Sequence, residues 1–238
     1  MNRQPVGFFT SGIQYSLPHP NIPKSHVIIV HNAVACALRL LREKPPANFD
    51  LSSADEDTIT RQLAEILENR LRQTGEVNGF NSNLFSRVTR DEKITNYNGG
   101  HPDKMPDLLF RFAEERLSII SNQDALFAEC KPVTKSRSCG THYCDRGMAR
   151  FIVGDYAWAM REGLMIAYVR DGRTIEKNLS TTIEKRSSLE VKKKLTAIPA
   201  KTESEELLHV TKHDRSFNWL NGERATDIKL FHSWHYCG

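Results

Sequence analysis

The sequence predicts an α/β (α+β) fold, a central mixed sheet flanked by helices in the order helix, three strands, helix, strand. Three observations lead to it. Residues Ala54 to Gln73 carry Ile59, Leu63, Ile66, Leu67 and Leu71 at helical spacing. Three β-type runs follow, Phe85 to Thr89, Met105 to Phe112 and Asp124 to Val133. A second helical pattern, Gly147 to Glu162, then leads into the apolar run Leu164 to Val169.

Taken in order, Asn2 to Pro23 holds Pro5, Pro18, Pro20 and Pro23 and is expected to be extended. Ser25 to Glu43 reads as a helix stopped by Pro45 and Pro46. The Ala54 helix follows Ser52 and Ser53, with Asp55, Glu56 and Asp57 at its positive end and Gly75 as its stop. Asn96 to Asp103 is a loop. Cys139 to Gly147 reads as a polar link. The helix after it has Met148, Phe151, Ile152, Tyr156 and Ala159 at helical spacing. Asp171-Gly172 closes the next strand. Lys177 to Glu205 is polar and ambiguous, with basic clusters at Lys185-Arg186 and Lys192 to Lys194. Leu207 to Val210 and Thr226 to His232 are candidate late strands. Residues 1–50 therefore read as an N-terminal extension whose helix packs on the core, and 51–238 as the main domain with C-terminal strands.

Composition narrows the class. The 238 residues are 39% hydrophobic and 26% charged, which suits one globular domain and excludes a disordered or collagen-like chain. The net charge of +4 and pI near 8.8 permit a polyanionic partner without arguing for one. Met1 to Gly12 lacks a basic-then-apolar signal pattern. The most apolar run, Val27 to Leu41, contains His31, Asn32 and Arg39 and is too short and polar to span a bilayer, so no membrane association is expected. Five cysteines without a secreted framework make a reducing cytoplasm the default location.

The chemistry lies in Pro106-Asp107 and, further on, Glu129-Cys130-Lys131. A strand sends alternate side chains to opposite faces, so Glu129 and Lys131 point the same way, about 7 Å apart. If the Asp107 strand pairs antiparallel with theirs, Asp107 joins them at one sheet edge. Two carboxylates and an ammonium suit metal-assisted phosphoryl transfer. Hard oxygen ligands hold Mg²⁺, and a lysine can orient water and offset charge on the phosphorane. The same spacing also suits a surface hairpin with a salt bridge. Context favours the site: both halves sit on strands, and Glu56 falls on the apolar stripe of its helix, where a carboxylate needs a partner or a metal. Glu56 could instead serve only the helix dipole; Asp57 is the alternative acid.

With these residues the sequence resembles the PD-(D/E)xK nuclease superfamily, the restriction-endonuclease-like fold. Asp107, Glu129 and Lys131 match its motif, Glu56 stands in place of its upstream-helix acid, and the element order matches its core. The resemblance covers about Ala54 to Val169. It implies Mg²⁺- or Mn²⁺-dependent cleavage of nucleic acid, DNA before RNA, in defence or repair. Asp107 and Glu129 would bind the metal with the Cys130 (or Ala128) backbone carbonyl, and Lys131 would be the catalytic lysine. Two subunits could act together as a homodimer. The superfamily also holds inactive members, so a nuclease-like module that only binds nucleic acid is the alternative.

Arg146, Arg150 and Arg161 share one face of the expected helix, with Gly154 and Ala157 between them, and a phosphate backbone could approach such a stripe. It would equally serve as a solvated face. Lys131, Lys135 and Arg137 add charge beside the site. Cys139, His142 and Cys144, near Cys130, offer zinc-type ligands in a non-standard spacing, which leaves a zinc-stabilised interaction protein as a third reading. His209, His213, His232 and His235 gather near Trp219, Trp234 and Tyr236, and interior packing explains them as well as a metal does. Lys212, His213 and Arg215 could meet nucleic acid, and His101 in the Asn98-Gly99-Gly100 loop could approach substrate.

Overall fold

A computed structural model describes residues 17–114, 116, 120–198, 206–219 and 221–238. The proline-rich expectation for residues 2–16 and the segment 199–205 lie outside the described residues. The chain is mixed α/β. Helix α1 (Lys24–Glu43) precedes α2 (Glu56–Ile66), which continues through a π-helical turn Leu67–Leu71 into Arg72–Thr74. Strands β1 (Phe85–Arg90), β2 (Leu108–Phe112) and β3 (Ala125–Val133) follow. A helical stretch, Cys139–Met148 in π geometry and then Ala149–Ile152, leads to β4 (Glu162–Val169). The C-terminal third supplies β5 (Val191–Ala197), β6 (His209–His213) and β7 (Ile228–Tyr236).

Among the described residues, seven strands form one open sheet in the order β1-β2-β3-β4-β7-β6-β5. β1, β2 and β3 are an antiparallel meander, whereas β3 and β4 run parallel, as do β4 and β7. A parallel neighbour needs a long crossover, and the Cys139–Ile152 helical stretch supplies it between β3 and β4. The late strands add antiparallel pairings at the far side. β5, an edge strand, exposes Lys192, Lys193 and Lys194 and breaks register twice.

The central strands are buried on both faces, and every residue of β4 is buried. α2 lays Ile59, Leu63, Leu67 and Leu71 into the same core that holds Phe80, Phe85 and Phe110. α1 is long and apolar enough to cross a membrane by length and composition. Its inner side is core, however: Val27, Val30, Val34, Leu38 and Leu41 are buried, and His31 Nδ1 lies 2.6 Å from Ser233 Oγ on β7.

The helix expected over Gly147 to Glu162 is displaced. It starts at Cys139, where Ser138 caps it by accepting the Thr141 N–H, and it ends at Ile152. Gly154 at φ +82° and Ala157 at φ +46° break it. The apolar residues beyond, Trp158 and Ala159, pack with Phe217, Trp219 and Ala225 in a second small core. Their spacing reflected burial of a loop. The supposed polar link is helical because Cys139, Tyr143, Cys144 and Met148 face the interior.

Candidate functional site

Three elements deliver acids to one end of the sheet. Leu108 pairs with Ala128, so Asp107, just before β2, comes level with Glu129. Asp107 Oδ2 accepts the Cys130 backbone N–H at 2.6 Å, which fixes its carboxylate against β3. Asp55 caps α2 by accepting the Thr58 N–H at 2.7 Å, making Glu56 the first helical residue. One turn on, Thr60 Oγ1 lies 3.0 Å from the Tyr168 hydroxyl on β4 and seats the start of α2 on the sheet.

The acids meet around Lys131. Its Nζ stands 2.7 Å from Glu56 Oε1, 2.9 Å from Glu129 Oε1 and 3.6 Å from Asp107 Oδ2. It also donates to the Cys130 carbonyl at 2.7 Å. Gly147 lets the crossover helix pass over the lysine: a Cβ there would lie 3.4 Å from Lys131 Cγ and 2.6 Å from Met165 Cε. Arg150, from the same helix, brings Nη1 to 3.1 Å from Glu129 Oε1.

Glu129 is the unusual member. Its side chain is fully buried. Both oxygens lack a hydrogen bond of proper geometry, although Lys131 and Arg150 are in ion-pair range of Oε1. Burial, reinforced by the neighbouring Asp107 charge, pushes its pKa up to about 8 against the pull of Lys131 and Arg150. Burial also raises Asp107, opposed by Lys131 and the Cys130 N–H. Burial works to lower Lys131, but the carboxylates of Glu129, Asp107 and Glu56 outweigh it and hold the ammonium well above the usual lysine range.

Asp107, Glu129, Lys131 and Glu56 are thus brought together, with the Cys130 carbonyl beside them. Among the described residues no three His, Cys, Asp or Glu side chains form a ready cage for a metal ion. The acids are gathered on an ammonium instead. The donor set nevertheless fits Mg²⁺ or Mn²⁺: carboxylate and carbonyl oxygens are hard ligands, and the buried Glu129 Oε2 has no donor among the described residues.

The other expected residues scatter. Arg146 is exposed on the crossover helix four residues before Arg150, and Lys135 is exposed after β3. Arg161 does not share their face. It lies beyond the helix, and its carbonyl accepts the Lys229 N–H at the start of β7. Asp57 is exposed and pairs with Arg90. His101 is exposed in a loop whose backbone closes on Asn96. Cys139 and Cys144 turn inward while His142 is half-buried on the outer side, so the three do not converge. His213, His232 and Thr211 form a buried chain of hydrogen bonds that Tyr143 extends at 2.9 Å to His232. His209 pairs with Glu176, and His235 pairs with Glu206. Arg215 and His213 are fully buried and so cannot meet a nucleic acid; Arg215 donates to the Trp158 and Met160 carbonyls.

Sequence reasoning missed two members. Gly147 admits the helix against Lys131, and Tyr156 touches Arg150 with its hydroxyl. Both fell within a helix pattern drawn out of place, and no local signal marked them. Comparison with protein-family models, curated proteins and solved structures finds no match for this chain.

Proposed function

We propose that this protein is a metal-dependent phosphodiesterase acting on nucleic acid, DNA before RNA. The observation that carries the reading is the convergence of Glu56, Asp107 and Glu129 on Lys131, with Glu129 buried and its Oε2 without a donor among the described residues. An acid buried this way raises the free energy of its charged form, an arrangement sites tolerate where a cation is to be bound. The order α2, three antiparallel strands, crossover helix and parallel β4 supports a restriction-endonuclease-like core.

Asp107 and Glu129 would hold Mg²⁺ or Mn²⁺ with the Cys130 carbonyl. When bound, the ion polarises a phosphate and acidifies water. Lys131, released from Glu129, would orient the attacking water and face the negative charge that builds on the non-bridging phosphate oxygens. Glu56 keeps the lysine at the mouth of the site through its 2.7 Å contact. Asp107 holds its position through the Cys130 N–H.

The test is nicking of supercoiled DNA by purified protein with Mg²⁺ or Mn²⁺ against an EDTA control. Asp107→Ala and Lys131→Ala should each reduce cleavage by at least about 100-fold without unfolding the chain. Retained cleavage in both would refute the assignment. Binding of DNA without product from the wild type would instead identify a module that holds nucleic acid and leaves it intact.

A further inference from the structure

Arg150 is built into the site in a way the neighbouring arginines are not. Its Nη1 makes both of its polar contacts, one to Glu129 Oε1 at 3.1 Å and one to the Tyr156 hydroxyl. Among the described residues Nε and Nη2 have no hydrogen bond or ion pair. The side chain is 41% exposed. One corner of the guanidinium is tied down beside the acids, and the two-nitrogen edge opposite is left open to solvent.

The tie is itself anchored. Tyr156 is buried, and its hydroxyl donates to the Met105 carbonyl at 2.7 Å, two residues before Asp107. Gly154 at φ +82° turns the chain at the end of the helix, and the amides of Asp155 and Tyr156 both donate back to the Arg150 carbonyl. This fold-back lays the tyrosine ring under the guanidinium, 5.4 Å from its centroid. Lys104 pairs with Asp155 at 2.9 Å and ties the same turn to the approach to β2.

We propose that Arg150 grips the phosphate at the bond to be cut, through its Nε and Nη2 edge, and that Tyr156 is the positioning residue that aims it. This rests on the phosphodiesterase reading above. A planar fork of N–H donors matches the two non-bridging oxygens of a phosphodiester, which a lysine cannot do. Held next to Glu129, the fork meets the reacting phosphate. Arg146, exposed a turn away, could meet only a more distant part of the strand.

The test uses the full chain with Mn²⁺ and a labelled oligonucleotide, with kcat and KM measured for Arg150→Ala, Arg150→Lys, Tyr156→Phe and the Arg150→Ala/Tyr156→Phe double variant. Arg150→Ala is expected to lose about 100-fold in kcat with KM changed less than about threefold. Arg150→Lys should recover less than about tenfold of that loss. Tyr156→Phe should lose about tenfold, and the double variant should be no worse than Arg150→Ala, because the tyrosine acts only through the arginine. An Arg150→Ala enzyme with wild-type kcat, or a double variant whose losses multiply, would overturn the proposal while leaving an active wild type as a phosphodiesterase. A wild type with no turnover would remove the phosphodiesterase reading, and this assignment with it.

Discussion

Replacing Glu129 by glutamine should make the metal-free protein more stable, and by an amount that depends on pH. Glu129 is fully buried, and its pKa stands at about 8 against an ordinary 4.5. The folded state therefore holds a proton that the unfolded chain gives up. The stability this provides is complete below pH 4.5 and is lost as pH rises toward 8. At pH 7 the loss from this one side chain is about 3 kcal/mol, since the unfolded glutamate is ionised and the folded one is about nine-tenths protonated. Glu129→Gln has nearly the shape of the protonated acid and nothing to ionise. Urea denaturation in EDTA at several values between pH 4.5 and 8 measures both proteins. The difference in their unfolding free energies should grow by about 3 kcal/mol between pH 4.5 and 7. Saturating Mn²⁺ should reverse the ranking, because an ion that binds only the folded wild type stabilises it by mass action. A difference independent of pH would refute the argument that Glu129 is held neutral by burial.

Three further outcomes follow from the same structure. Lys131→Met should bind Mn²⁺ at least about tenfold more tightly by calorimetry, because the ammonium lies on the oxygens that the ion would use; an unchanged affinity would mean that lysine and metal do not compete. Phe110→Ala should lower stability by about 3–5 kcal/mol in urea, since its ring is buried between Phe80 and Phe85, and a loss under about 1 kcal/mol would contradict that packing. Arg215→Met should destabilise by about 2–3 kcal/mol in urea, because it removes the donor of the buried Met160 carbonyl and one of the two donors of the Trp158 carbonyl, and any DNA nicking shown by the wild type should be unchanged per folded molecule.

The sequence displayed the centre of the site more clearly than its surroundings. Alternation along β3 put Glu129 and Lys131 on one face, and pairing of Leu108 with Ala128 brought Asp107 to them. Glu56 stood out because a carboxylate on an apolar stripe needs a reason, and the reason is Lys131. The crossover was harder to read. Apolar residues at 151, 152, 156 and 159 imitate a helix, although the chain turns at Gly154, Tyr156 folds back on Phe151 and Ala159 packs on Phe217 and Trp219. That error placed Arg161 on a face it does not share and hid Tyr156 from the site. The link from Cys139 to Gly147 looked polar because its inward residues, Cys139 and the pair Tyr143-Cys144, are interspersed with Gly140, Thr141, His142, Asp145 and Arg146. Contacts between side chains far apart in sequence, such as Tyr156 with Met105 and Thr60 with Tyr168, leave no periodic trace.

The far border of the sheet bears on how two copies of the chain could meet. A bare strand invites another to zip onto it, yet β5 offers three successive ammonium groups and a backbone that slips out of step with its neighbour twice. Another β5 laid alongside would crowd the pairs that Lys192 makes with Asp214 and Asp227 and Lys194 with Glu184, and would find few aligned amides. A sheet continued from one subunit to the next through this border is therefore disfavoured. Two copies, if they pair, must join through some other face, and Lys192 and Lys194 on this border are already held by carboxylates of their own chain, Asp214 and Asp227 for the first and Glu184 for the second.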